Sequence, residues 1–136
     1  MIMYLSNRNR NPADSSIRAG SNRVGTGGQL VPVTRFIVHE SYRNGQPTHD
    51  IIILKLSRNL VFSATVRAAQ LPVQGFAVPA GSTALLSGWG GINTAGNRSP
   101  TVLQALQTPI IGNAQCQTRI QFPVRNDQLC AGGVVG

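Results

Sequence analysis

The chain has 136 residues, of which 41% are hydrophobic and 12% charged, and a formal net charge of +8. That is long enough for one ordinary domain or two small ones and apolar enough for a packed core, which excludes a chain disordered throughout. No apolar run in it reaches the length of a transmembrane helix.

The form of the charge narrows the partners. Among the 12 basic residues only Lys55 is a lysine, and most arginines stand singly: Arg18, Arg23, Arg35, Arg43, Arg58, Arg67, Arg98, Arg119 and Arg125. There is no basic run and no interleaved aromatic set, with only four Phe, two Tyr and one Trp. Neither nucleic acid nor a membrane is therefore the expected partner. No other Cys or nearby His joins Cys116 and Cys130 to complete a zinc site, so no metal is expected, and no motif implies a cofactor. By themselves the two cysteines are either unrelated buried thiols or a disulfide. The disulfide would close a short loop worth roughly 3 kcal/mol and imply an oxidising compartment.

In chain order, residues 1–14 are polar, rich in Asn and Arg and without periodicity after the first five, which reads as a disordered or non-native lead-in. The apolar Met1–Leu5 is too short for the core of a signal peptide, so no export signal is expected in this chain. Ser16–Ala19 reads as a short strand ended by a Gly- and Ser-rich turn. Gln29–His39 reads as a longer strand, in which Pro32 marks an edge or a bulge. A polar loop from Glu40 to His49 leads into Asp50-Ile51-Ile52-Ile53-Leu54-Lys55-Leu56. In this run Ile52, Leu54 and Leu56 share one face and Ile51, Ile53 and Lys55 the other. Asp50 thus stands where a loop enters a sheet. It either caps a turn in water or, if buried, needs partners, because an unpaired buried carboxylate costs several kcal/mol.

Arg58–Pro79 reads as a long connector between two subdomains. Thr83–Ser87 is the next expected strand, running into Gly88-Trp89-Gly90. Asn93–Pro100 is a loop, and Leu103–Ile111 a strand interrupted by Pro109. Asn113 is placed to cap a short helix through Ile120, and Gln128–Ala131 is a last short strand before a glycine-rich end. The fold class is all-β in two groups of short strands, neither of which covers its own edges.

Several pieces in order resemble the trypsin/chymotrypsin-like serine protease family. They are Arg18-Ala19-Gly20-Ser21, Gly27-Gly28-Gln29, Ile37-Val38-His39-Glu40-Ser41-Tyr42 and His49-Asp50-Ile51-Ile52-Ile53-Leu54-Lys55-Leu56. After the connector come Ala69-Gln70-Leu71-Pro72, Ser87-Gly88-Trp89-Gly90, Cys116 and Leu129-Cys130-Ala131-Gly132. The resemblance implies an incomplete double six-stranded β-barrel. Residues 15–72 would form the second half of the first barrel with the start of the linker, and residues 73–136 the first half of the second. It places Asp50 on the triad aspartate, which fixes the tautomer of a histidine and stabilises its charged form while a serine attacks the substrate carbonyl. It also implies a disulfide between Cys116 and Cys130, polypeptide substrates for the complete parent, and an extracellular location. Ala84 stands where many members have a third cysteine.

The departures weigh as much. Neither the family's Ala-Ala-His-Cys segment nor its Gly-Asp-Ser-Gly-Gly-Pro segment occurs in the chain. His39 matches a non-catalytic histidine of the family. His49 precedes Asp50 directly, and in extended chain neighbours point to opposite sides. The serines lack the strained strand-to-helix context of a nucleophile. The expectation is a fragment of a serine endopeptidase, inactive as given. The alternatives are a non-catalytic homologue serving as a binding scaffold and a basic anion-binding module. Half-filled cores and open edges predict association, either with itself or with a polypeptide supplying the absent halves.

Overall fold

The computed structural model describes residues 11–46, 48–93, 98–121, 123–126 and 128–132. It divides into two compact units, Met1–Ala69 and Gln70–Gly136. Each carries one three-stranded antiparallel sheet.

In the first unit the strands are β1 (Ser16–Ala19), β2 (Gln29–Val38) and β3 (Ile52–Leu56), ordered β1-β2-β3. Alternation of apolar and polar side chains decides which face is buried. Ile17, Ala19, Val31 and Val33 form the core with Val66, and Phe36, Leu54, Leu56 and Leu60 pack against it. Val31 and Phe36 share this inner face although their numbers differ in parity. The reason is a bulge: Val33 pairs with Leu56 and Arg35 with Lys55, so Thr34 is one residue too many for the ladder. Its hydroxyl donates to the Lys55 carbonyl at 3.1 Å.

Pro32 was expected to mark an edge or a bulge; β2 is the central strand, and its bulge lies two residues on, at Thr34. The N–H of Val33 points to β1, donating to the Ser15 carbonyl at 2.9 Å, so the nitrogen of Pro32 faces the β3 side. There the Ser57 N–H donates to the Pro32 carbonyl at 2.9 Å, and the proline costs only the return bond of this last rung.

The lead-in also differs from expectation. Residues 1–10 lie outside the described residues, but Pro12–Asp14 form one turn of 3-10 helix. Asn11 caps it through its side-chain oxygen, which accepts from the Ala13 N–H at 3.1 Å. The connector is likewise built into the first unit at its start. Ser63 and Val66 exchange backbone hydrogen bonds of 2.8 and 3.3 Å, which turns Val66 into the core. The Gln29 amide grips Val61 from both sides, donating to its carbonyl at 2.7 Å and accepting from its N–H at 2.9 Å.

Gly28 has φ +61, and a Cβ there would collide with the carbonyl oxygen of Ala19. Gly28→Ala therefore combines left-handed strain with a backbone clash at the mouth of the β1–β2 hairpin. It is expected to lower the local opening free energy by roughly 2 kcal/mol. Faster amide exchange across β1 and β2 is the readout.

The second unit has β4 (Thr83–Gly88), β5 (Gln104–Ile111), α1 (Asn113–Gln117) and β6 (Cys130–Ala131), with sheet order β4-β5-β6. Pro109 repeats the device of Pro32. Ile110 donates toward β4, to the Ser82 carbonyl at 2.8 Å, so the proline nitrogen faces β6 just past its last pair, Ile110 with Ala131. Buried residues here are Thr108, Ile110 and Cys116, while the cross-strand pair Leu86 and Leu106 is exposed.

The helix is shorter than expected. Gly112 is its N-cap, Asn113 is its first residue, and the Asn113 amide donates to the Arg125 carbonyl at 3.3 Å. It ends where the Thr118 hydroxyl donates to the Gln115 carbonyl at 2.8 Å. The Gln117 side-chain oxygen then accepts from the Val124 N–H at 2.7 Å, holding the chain that leads on to β6.

Candidate active site

Two places in the fold carry the residues singled out above. The first is the loop between β2 and β3. The ladder continues one residue past Val38, the His39 N–H donating to the Ile51 carbonyl at 3.2 Å. Between these ends the chain is folded by local bonds. The His39 Nδ1 accepts from the Ser41 N–H at 3.1 Å, and the His39 carbonyl accepts from the Tyr42 N–H at 2.9 Å. The Arg43 guanidinium donates to the carbonyls of Glu40 and Tyr42, each at 2.9 Å.

The loop returns through a tight turn. The Ile51 N–H donates to the His49 carbonyl at 2.8 Å, which puts Asp50 at the centre of a three-residue turn. His49 has φ 54, the left-handed region, where His is more tolerated than most side chains. The assumption of extended chain at His49 is thus corrected. Its ring lies instead on that of His39, with centroids 4.9 Å apart and planes inclined by 29°. The stack ties the start of the loop to its end, and Asp50 follows it directly, exposed to solvent. The turn thus fixes the backbone of Asp50 at the entrance of β3, where its carboxylate is a hydrogen-bond acceptor.

The second place is the end of the β5 sheet. Cys116 of α1 and Cys130 of β6 are joined by a disulfide, with Cα atoms 6.2 Å apart. The sequence alone left their pairing open, and the resemblance implied it. Cys116 is buried, and Cys130 pairs with Ile111 in the ladder, so the bond clamps helix to sheet. Asp50 lies in the first unit and the disulfide in the second. Among the described residues no group of three or more His, Cys, Asp or Glu gathers as a metal site. No helix among them is long and apolar enough to cross a membrane.

The sequence missed the His39–His49 stack. Its only signal was that both ends of a loop between paired strands carry a histidine.

The family model described as Trypsin matches residues 6–136. The chain is 31% identical over 108 residues to trypsin I-P1 of Gallus gallus, which covers 79% of this chain and 43% of that protein. It is 32% identical over 110 residues to anionic trypsin of Bos taurus, covering 81% and 44% respectively. Anionic trypsin of Canis lupus familiaris is 33% identical over 108 residues, 79% of this chain and 43% of its own length. The chain therefore spans less than half the length of these trypsins. Among solved structures, that of neuropsin, described as a serine protease expressed in the limbic system of mouse brain, superposes with a TM-score of 0.79 at 24% identity. The match covers 88% of this chain and 54% of neuropsin. That likeness shows the fold: two antiparallel sheets forming part of a trypsin-like pair of β-barrels. By the family match and the trypsin identities together, the chain belongs to the trypsin family of serine proteases.

Proposed function

We propose that these residues contribute the aspartate of a Ser-His-Asp triad to an endopeptidase that hydrolyses polypeptides through an acyl-enzyme. The observation that carries this reading is the placement of Asp50. It is fixed by a tight turn at the entrance of β3, in the Asp-Ile-x-x-Leu-x-Leu run through which the chain resembles its family. In that role the carboxylate accepts the Nδ1–H of a histidine, leaving Nε2 free to take the proton of the serine. Neither the histidine motif nor the serine motif occurs in these 136 residues, so both partners would come from polypeptide outside them. A location outside the cell accords with the disulfide, since such bonds persist in oxidising compartments.

Taken alone, the 136 residues should be inactive. Loss of one triad member costs orders of magnitude in rate, and here the nucleophile, the base and the oxyanion donors are all lacking. The test is a pre-steady-state assay with an activated ester. The expected result is no product burst above the uncatalysed rate. A burst stoichiometric with the chain and abolished by a serine-directed inhibitor would refute the inactivity. A longer polypeptide containing these residues and both missing motifs should show that burst. Its absence there would refute the triad role.

A further inference from the structure

The outer face of the first sheet carries four cations between the levels of Leu30 and Arg35, beyond which the exposed Ile37–Ile53 pair is apolar. Arg18 lies on this face, opposite Ile17 and Ala19 of the core, and pairs across the strands with Leu30. The Arg58 guanidinium donates to the Leu30 carbonyl at 3.2 Å, which sets a second cation at the same level. Farther along β2, Arg35 stands directly opposite Lys55. From Leu30 to Arg35 the strand runs about 15 Å. The carboxylates of the first unit, Asp14, Glu40 and Asp50, all lie off the three strands.

The Arg35–Lys55 pair is the unusual part. Like charges directly opposite in an antiparallel ladder repel, with Cβ atoms about 5 Å apart. Both side chains are exposed, and among the described residues neither head group has a hydrogen bond or an ion pair. Arg18 differs, because its guanidinium is committed to the carbonyls of Gly25 and Gly27 in the hairpin loop, which holds its charge in place. The face thus combines two anchored guanidinium groups with two unpaired cations whose repulsion an anion would relieve.

We infer that this face binds a linear sulfated polysaccharide. The length of the stripe suits an extended polyanion better than a single small anion. Planar guanidinium groups hold tetrahedral oxyanions through paired N–H donors. Two observations favour sulfated sugar over nucleic acid. No aromatic side chain lies on the stripe to stack a base, Phe36 being turned to the core. The disulfide places the chain in an oxidising compartment. The inference is independent of the role proposed for Asp50.

The test uses the 136-residue chain and a fluorescently labelled heparin fragment of defined length, followed by anisotropy over a series of salt concentrations. The double variant Arg35→Gln/Lys55→Gln should bind at least about tenfold more weakly at physiological salt, with a shallower salt dependence, because two ion pairs are lost. The control Arg98→Gln/Arg119→Gln removes the same charge from the second unit and should bind like the parent chain. The exchange Arg35→Lys/Lys55→Arg keeps the charge and should retain binding, which separates loss of contact from loss of fold. Equal loss in the two Gln variants would overturn the inference, since net charge alone would then explain binding. A thymidine oligonucleotide of matched charge that binds as tightly as heparin, and loses affinity with Arg35→Gln/Lys55→Gln, would also overturn it.

Discussion

In an active polypeptide containing these residues, replacing Asp50 by Asn is expected to lower kcat by about four orders of magnitude with little change in KM. The size follows from what the residue does in a triad. A carboxylate accepts the histidine Nδ1–H and so leaves Nε2 as the base. An amide can present its N–H instead, which favours the tautomer whose Nε2 is already protonated. A drop of that size is about 5.5 kcal/mol of transition-state stabilisation, far beyond what an exposed carboxylate contributes to folding. The backbone of the turn should survive the change, because the Ile51-to-His49 bond that closes it uses no side-chain atom. Steady-state kinetics with a peptide substrate decide the matter. A kcat within tenfold of the parent value would remove Asp50 from the chemistry.

Replacing both Cys116 and Cys130 by Ala should cost about 3 kcal/mol in the second unit, the chain-entropy value for a loop of this length. The loss should be local. β6 has two residues and two pairings with β5, too few to hold itself to the sheet, and α1 has five residues, well short of independent stability. The bond is what makes helix, strand and the loop between them one cooperative piece. The N–H of Gly132, which donates to the Pro109 carbonyl at 3.1 Å, and the amide of Cys130 are suitable reporters. Their hydrogen exchange should quicken roughly a hundredfold. In β1 and β2 of the first unit the rates should stay as they were. Unchanged rates at both reporters would mean that packing around Ile110 holds helix, loop and strand together without the bond.

These elements also show what can be read from residues in order. The strands were legible because alternation is local: Ile52, Leu54 and Leu56 face the core, and Ile51, Ile53 and Lys55 face away. Pro32 and Pro109 left the pairing open because a proline reports only a missing donor. What that costs depends on the neighbouring strand, and Pro32 and Pro109 each sit at a last rung, accepting from Ser57 and Gly132 with only the return bond lost. Gly112 rather than Asn113 is the N-cap of α1, and Asn113, one residue in, donates its amide to Arg125, twelve residues on, a contact no local rule contains. The entry of Asp50 into β3 was legible from the apolar run behind it, whereas the disulfide was reached through resemblance. The stack of His39 on His49 depends on a left-handed residue and could not be read from extended-chain geometry.

The surplus residue in β2 has one more consequence. Removing Thr34 would leave Val33, Arg35 and Phe36 in unbroken inward–outward sequence, with every later side chain on the face it now occupies. One residue lost or gained anywhere else in the strand would invert everything downstream, including the histidine that anchors the turn of Asp50. Position 34 is thus the joint at which this strand could lose a residue while still delivering the loop to the same side of the sheet.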